Sequence, residues 1–198
     1  MTNIIDDTDQ ALAARLGRER EARGWSLAEL AERSGVSKAM LSKVERAEAS
    51  PTANTLARIA TAYGLTLANL LTFESGEAPK RLSRAEAQPV WQDPETGYIR
   101  KQIFADPRRL ELAEIILPAG RSVAFPASAY SSWSHVIWVV AGRLEVTEGH
   151  EKHVVQPGDR LQLGEPADVT YSNVSGKPCR YLVALAPREA PRLVRRSR

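Results

Sequence analysis

One cysteine, Cys179, stands among 198 residues, so no intrachain disulfide can form, and a small strand residue is the ordinary use of such a thiol. Histidine is nearly as scarce, with three in the chain, so a histidine-based metal or catalytic cluster has little to draw on. No apolar run approaches the roughly 20 residues that cross a bilayer. The opening "MTNIIDDTDQ" is acidic and polar where a secretory leader is basic and then apolar. A cytoplasmic protein without a membrane partner is the expectation. There is little net charge either: +3, with a sequence pI near 9.2. The first 75 residues carry nine Lys and Arg against ten Asp and Glu, so the basic excess lies further on. Much of it sits in "PREAPRLVRRSR", five arginines to one glutamate, which reads as a solvated end.

What is present is enough apolar residue, 43%, for a sizeable core, divided between two styles of sequence. Residues 9–73 are Ala- and Leu-rich with apolar positions at helical spacing. From Trp91 the chain turns to short β-branched and aromatic runs such as "HVIWVVAGRLEV", broken by Gly and Pro. Between them "ESGEAPKRLSRAEAQP" has no periodic apolar face. The expected organisation is a helical domain over 9–73, a linker over 74–90, an all-β domain over 91–187 and a basic tail over 188–198.

Caps and breakers place five helices in the first domain. "SLAELAERSG" opens on Ser26 with Glu29 three residues on, a capping box, and ends at Gly35. "SKAMLSKVER" opens on Ser37 and carries Met40, Leu41 and Val44 as its apolar stripe, which leaves Lys38, Ser42 and Lys43 outward. Two short helices around a tight Gly-containing turn, the second with a lysine-bearing outer face, are the arrangement that sets a helix in the DNA major groove. "LAELAERSGVSKAMLSKVE", "SP" before the fourth helix and "TLARIA" resemble the XRE family, the phage-repressor-like helix-turn-helix regulators. The resemblance spans about 60 residues and implies a lambda-repressor-like five-helix fold and binding to double-stranded DNA. It places base-reading positions at Ser37, Lys38, Ala39, Ser42 and Lys43, and phosphate contacts at Ser26, Thr52 and Asn54. Many members carry glycine after the third helix, where this chain has Ala47. Two outward lysines neutralise few phosphates, so a homodimer reading a pseudo-palindrome is expected.

The turns "VAGRLE", "QPGDRL" and "SNVSGKP" are the punctuation of an antiparallel sandwich or barrel. "AGRLEV", "PGD" and Asn173 resemble the cupin family, which implies a jelly-roll barrel. The family's metal is held by two histidines and a glutamate, then a third histidine. Here the glutamate position falls on His135, and the first two histidine positions fall near Ser128 or Ala129 and Tyr130 or Ser131. The last falls on Val169. His150 and His153 belong to a hairpin turn. No metal, cofactor or catalytic constellation is expected. Strand alternation puts Trp133, Ile137 and Val139 on the face of His135, and Tyr171 with Val169, so Tyr130, Trp133, His135, Ile137, Val169 and Tyr171 are the candidate pocket. A Tyr130 or Tyr171 hydroxyl is the expected partner of the imidazole. The same residues would also serve as a filled core. The functional expectation is a dimeric transcription regulator, not an enzyme, whose β domain dimerises and takes a small-molecule effector. The alternatives are a metal-dependent cupin enzyme fused to the helical domain, and a β domain that only dimerises.

Overall fold

A computed structural model describes residues 4–71, 81–106 and 109–188. The helical part comprises α1 (Ile4–Ala22), α2 (Leu27–Ser34), α3 (Lys38–Glu45), α4 (Ala53–Tyr63) and α5 (Leu67–Leu70). The first helix begins earlier than the residue-9 boundary expected from apolar spacing, because the polar run before it carries no breaker. The expected capping box forms: Ser26 Oγ accepts from the Glu29 amide at 3.2 Å while Glu29 Oε2 accepts from the Ser26 amide at 2.7 Å. Gly35 closes α2 at φ +64°, and Ser37 Oγ, accepting from the Met40 amide, opens α3 three residues later. Leu30, Leu41 and Val44 then meet Leu12, Leu16, Leu56 and Ile59 in one buried core. Arg20 reaches across from α1 to hold Glu45 of α3 through two contacts of 2.8 Å each.

The second part is a jelly roll of antiparallel strands: β1 (Val90–Gln92), β2 (Ile99–Asp106), β3 (Leu110–Leu117), β4 (Ser122–Phe125), β5 (Trp133–Ala141), β6 (Leu144–Glu148), β7 (Glu151–Val155), β8 (Arg160–Gln162), β9 (Val169–Ser172) and β10 (Cys179–Pro187). One sheet runs β1-β2-β3-β10-β5-β8 and the other β4-β9-β6-β7. Burial alternates along β3, β5, β9 and β10, which sets Ala113, Ile115, Ile137, Val139, Val169, Tyr171, Tyr181 and Val183 inside. At the turn before β6, Gly142 has φ +84°, and a Cβ there would lie 2.8 Å from the Cys179 Cα. Asn173 ties the far end, its amide nitrogen donating to the Leu117 and Lys177 carbonyls at 2.9 and 2.8 Å. Burial pushes the Cys179 thiol up to about 11, which suits the inert strand residue expected.

Sequence alone suggested two units joined by a linker. The boundary near residue 73 lies outside the described residues, and β1 starts at Val90, the last position of that linker. The two parts pack directly. Asp93, 2% exposed, accepts from the Ala53 amide at the start of α4 at 2.6 Å, and Asn54 donates its amide to the Ala124 carbonyl at 3.0 Å. Glu111 of β3, fully buried, accepts from the Thr66 hydroxyl at 2.6 Å and the Asn69 amide at 2.7 Å. Helices α4 and α5 therefore close the mouth of the barrel.

Candidate DNA-reading helix and interdomain cavity

On α3 the residues expected to face DNA lie away from the core. Ser37, Lys38, Ala39 and Lys43 are exposed, Ser42 is half-buried, and Leu41 and Val44 are buried beneath them. Arg46, which sequence reasoning passed over as part of the helix end, extends this face: it hydrogen-bonds Ser42 Oγ and holds Glu48 at 2.7 and 2.8 Å. Its spacing of four from Ser42 was the available signal. Ser26 is exposed at the start of α2. All three proposed phosphate contacts are engaged within the chain, Ser26 through its capping box with Glu29. Thr52 Oγ1 accepts from the Thr55 amide at 3.3 Å, and Asn54 holds the barrel as described. Ala47, in the place of the frequent glycine, takes φ +54°, a left-handed conformation that strains a residue with a Cβ.

Inside the barrel mouth lies a cavity of about 60 Å³. One water needs roughly 10–15 Å³ of such space, so the cavity holds several waters or a small molecule. Of the six residues expected to line a pocket, Tyr130, His135 and Tyr171 do so. Ile137 and Val169 are packed core at 0% and 1% exposure, and Trp133 lies outside the lining. The alternation was read correctly, but those side chains fill the barrel below or beside the space. Sequence reasoning missed two contributions to the wall. Helical residues Ala57, Thr61, Leu65, Thr66, Leu67 and Ala68 form one side, and Arg100 of β2 enters from the other. The available signal for Arg100 was strand alternation, which sets it and Gln102 on one face of β2 opposite Lys101. The helical wall left no mark in the sequence, because it depends on how the two parts dock.

His135 is 7% exposed, and its Nδ1 lies 3.2 Å from the Trp133 carbonyl. The expected tyrosine partner is thus corrected: the nearer acceptor is the backbone of its own strand, and the Tyr130 hydroxyl instead meets that of Tyr171 at 3.4 Å. A carbonyl only accepts, so Nδ1 carries the proton and Nε2 is the acceptor nitrogen. The Tyr130 ring packs edge-on against the imidazole at 4.7 Å between centroids. Burial pulls the imidazole down to about 4, against a smaller upward push from the Trp133 carbonyl, so it is neutral at pH 7. Burial likewise raises the tyrosine hydroxyls of the cavity, which remain neutral donors. Among the described residues no three His, Cys, Asp or Glu side chains gather where a metal ion could sit. One imidazole among phenols and aliphatics does not fit the metal that many cupins hold.

A helix-turn-helix family model, HTH_3, matches residues 10–70. The HTH-type transcriptional regulator SutR of Escherichia coli (strain K12) is 44% identical over 169 residues, 84% of this chain and 88% of that protein. The chain belongs to the family of HTH-type transcriptional regulators. A crystal structure of an HTH_3 family transcriptional regulator from Vibrio cholerae, 24% identical, covers 93% of this chain and 99% of its own with a TM-score of 0.75, so the two share the whole fold. A Cupin_2 domain of an XRE family transcriptional regulator from Enterobacter cloacae, 18% identical, covers 46% of this chain and 98% of its own with a TM-score of 0.42.

Proposed function

We propose that this regulator acts in the cytoplasm as a homodimer that sets two copies of α3 in successive major grooves of a pseudo-palindromic operator, and that its barrel takes a small-molecule effector without a metal and without catalysis. The observation that carries the DNA part is the division of α3, with Leu41 and Val44 buried and Ser37, Lys38, Ala39 and Lys43 facing out. Lysines at that spacing suit guanine acceptors or flanking phosphates, while Ser42 and Ala39 suit a base edge or a thymine methyl. Ser26, Thr52 and Asn54 are assigned to the phosphate backbone, each in exchange for its contact within the chain. Pairing two protomers supplies the phosphate contacts that one lacks.

The cavity favours an effector over a pure dimerisation module. A filled core would leave no such space beside Tyr130, His135 and Tyr171. Sedimentation of the full chain, alone and on bound duplex, tests the dimer: two protomers per duplex are expected, and one per duplex contradicts it. For the cavity, a thermal-shift screen is decisive, because a ligand at 100 times its Kd adds about 2.7 kcal/mol.

A further inference from the structure

Arg100 stands in the cavity with no paired counter-ion. It is 6% exposed, and its Nε has no hydrogen-bond partner. One terminal nitrogen makes a long 3.4 Å contact to Gln102 Oε1, whose own amide is committed to the Phe104 and Leu112 carbonyls. Among the described residues no carboxylate forms an ion pair with it. Glu111 interacts with its charge, spends Oε1 on Thr66 and Asn69 of the helical part, leaves Oε2 buried without a hydrogen-bond partner, and is not part of the cavity lining. Burial raises the pKa of the Glu111 carboxyl, with smaller opposing effects from Thr66, Arg100 and Asn69. His135 adds no charge at pH 7.

A buried guanidinium left unpaired is costly, and its planar fork of donors matches a carboxylate. The rest of the cavity lining is tyrosine hydroxyls, which can donate to a carboxylate or, as Tyr98 does from Arg100, accept, together with apolar surfaces such as Leu185, Leu65 and Ala68. The geometry points to a small monocarboxylate as the occupant of the cavity, its charged end on Arg100 and its apolar end against the helical wall. This deepens the effector reading above and rests on it. Because residues 57–68 form that wall, such a ligand touches the barrel and the DNA-binding part at once. Occupancy then changes the docking of α4, whose first turn the barrel already holds through Asp93 and Ala124.

The test is a calorimetric and thermal-shift titration of the full chain with monocarboxylates from acetate to hexanoate. Each is run beside its uncharged amide, with sodium chloride and sulfate at equal ionic strength. At least one carboxylate is expected to bind tenfold or more tightly than its amide and the inorganic salts, with that preference lost in Arg100→Gln and partly kept in Arg100→Lys. Tyr130→Phe serves as a second variant with the charge intact, expected to weaken the carboxylate less than Arg100→Gln does. The saturating carboxylate should also shift the anisotropy-measured affinity for a bound duplex severalfold in the wild type and not in Arg100→Gln. Equal binding of acid and amide, or a preference that survives Arg100→Gln, overturns the carboxylate and leaves an effector cavity. Equal gain from chloride or sulfate reduces Arg100 to a general anion site and also overturns it. Silence from every acid and amide overturns the effector reading too, while DNA binding, measured without ligand, stands apart.

Discussion

Acidification should destabilise this protein through His135 by an amount that the structure sets. The imidazole is held down to about 4 by burial, with Arg100 and Arg188 adding to that through their charge and the Trp133 carbonyl opposing it. The unfolded value is near 6.5. The unfolded chain therefore takes up the proton first, and stability that is present above pH 6.5 is lost as the pH falls toward 4. Linkage gives a loss of about 2 kcal/mol between pH 7.5 and pH 5, and a limit of about 3 kcal/mol below pH 4. His135→Phe keeps an aromatic ring of similar size against Tyr130 and removes the titration. Other groups, Glu111 included, titrate alike in both proteins, so the difference isolates His135. Urea unfolding followed by tryptophan fluorescence at the two pH values measures it. The wild type should lose about 2 kcal/mol more than His135→Phe. Parallel pH dependence would mean that the imidazole is already hydrated or charged in the fold, and the reasoning fails.

Other perturbations have equally definite outcomes. Ala47→Gly relieves a left-handed alanine and should gain about 0.5–1 kcal/mol net of the entropy glycine adds to the unfolded chain, read by urea midpoint; a loss would deny the strain. Gly142→Ala drives a Cβ to within 2.8 and 2.9 Å of the Cys179 Cα and Pro178 carbonyl oxygen. It should cost roughly 2 kcal/mol or more, whereas Gly158→Ala, with open space around it, should cost about 1 kcal/mol by the same assay. Lys38→Ala or Lys43→Ala should cost about 1–3 kcal/mol at a specific site if the lysine reads a base, and weaken all sequences alike if it meets phosphate.

Local rules carried the sequence reading a long way. Ser26 with Glu29, Ser37 and Gly35 mark the bounds of two helices because capping chemistry acts over three or four residues, and alternation along β5 and β9 gave the inward faces of His135 and Tyr171. The cavity was half legible for the opposite reason. Alternation says which way Ile137 and Val169 point but not whether space remains above them, which depends on packing between sheets. The hydrogen bond of His135 went to a backbone carbonyl two residues away, an acceptor that every strand offers and no side-chain pattern marks. Nothing in the local sequence distinguishes Glu111 and Asp93 from other strand and turn acids, yet both are buried to grip helices 40 or more positions earlier in the chain.

Selection of random duplexes by the full-length chain, followed by sequencing, tests most directly that α3 reads DNA as one half of a pair. The account predicts an enriched pseudo-palindrome whose half-sites lie about one helical turn apart, roughly 10–10.5 bp. It also predicts that Lys38→Ala and Lys43→Ala each blur defined positions within both half-sites. An enriched site that stays unchanged in both variants, or no enriched sequence at all, would contradict it.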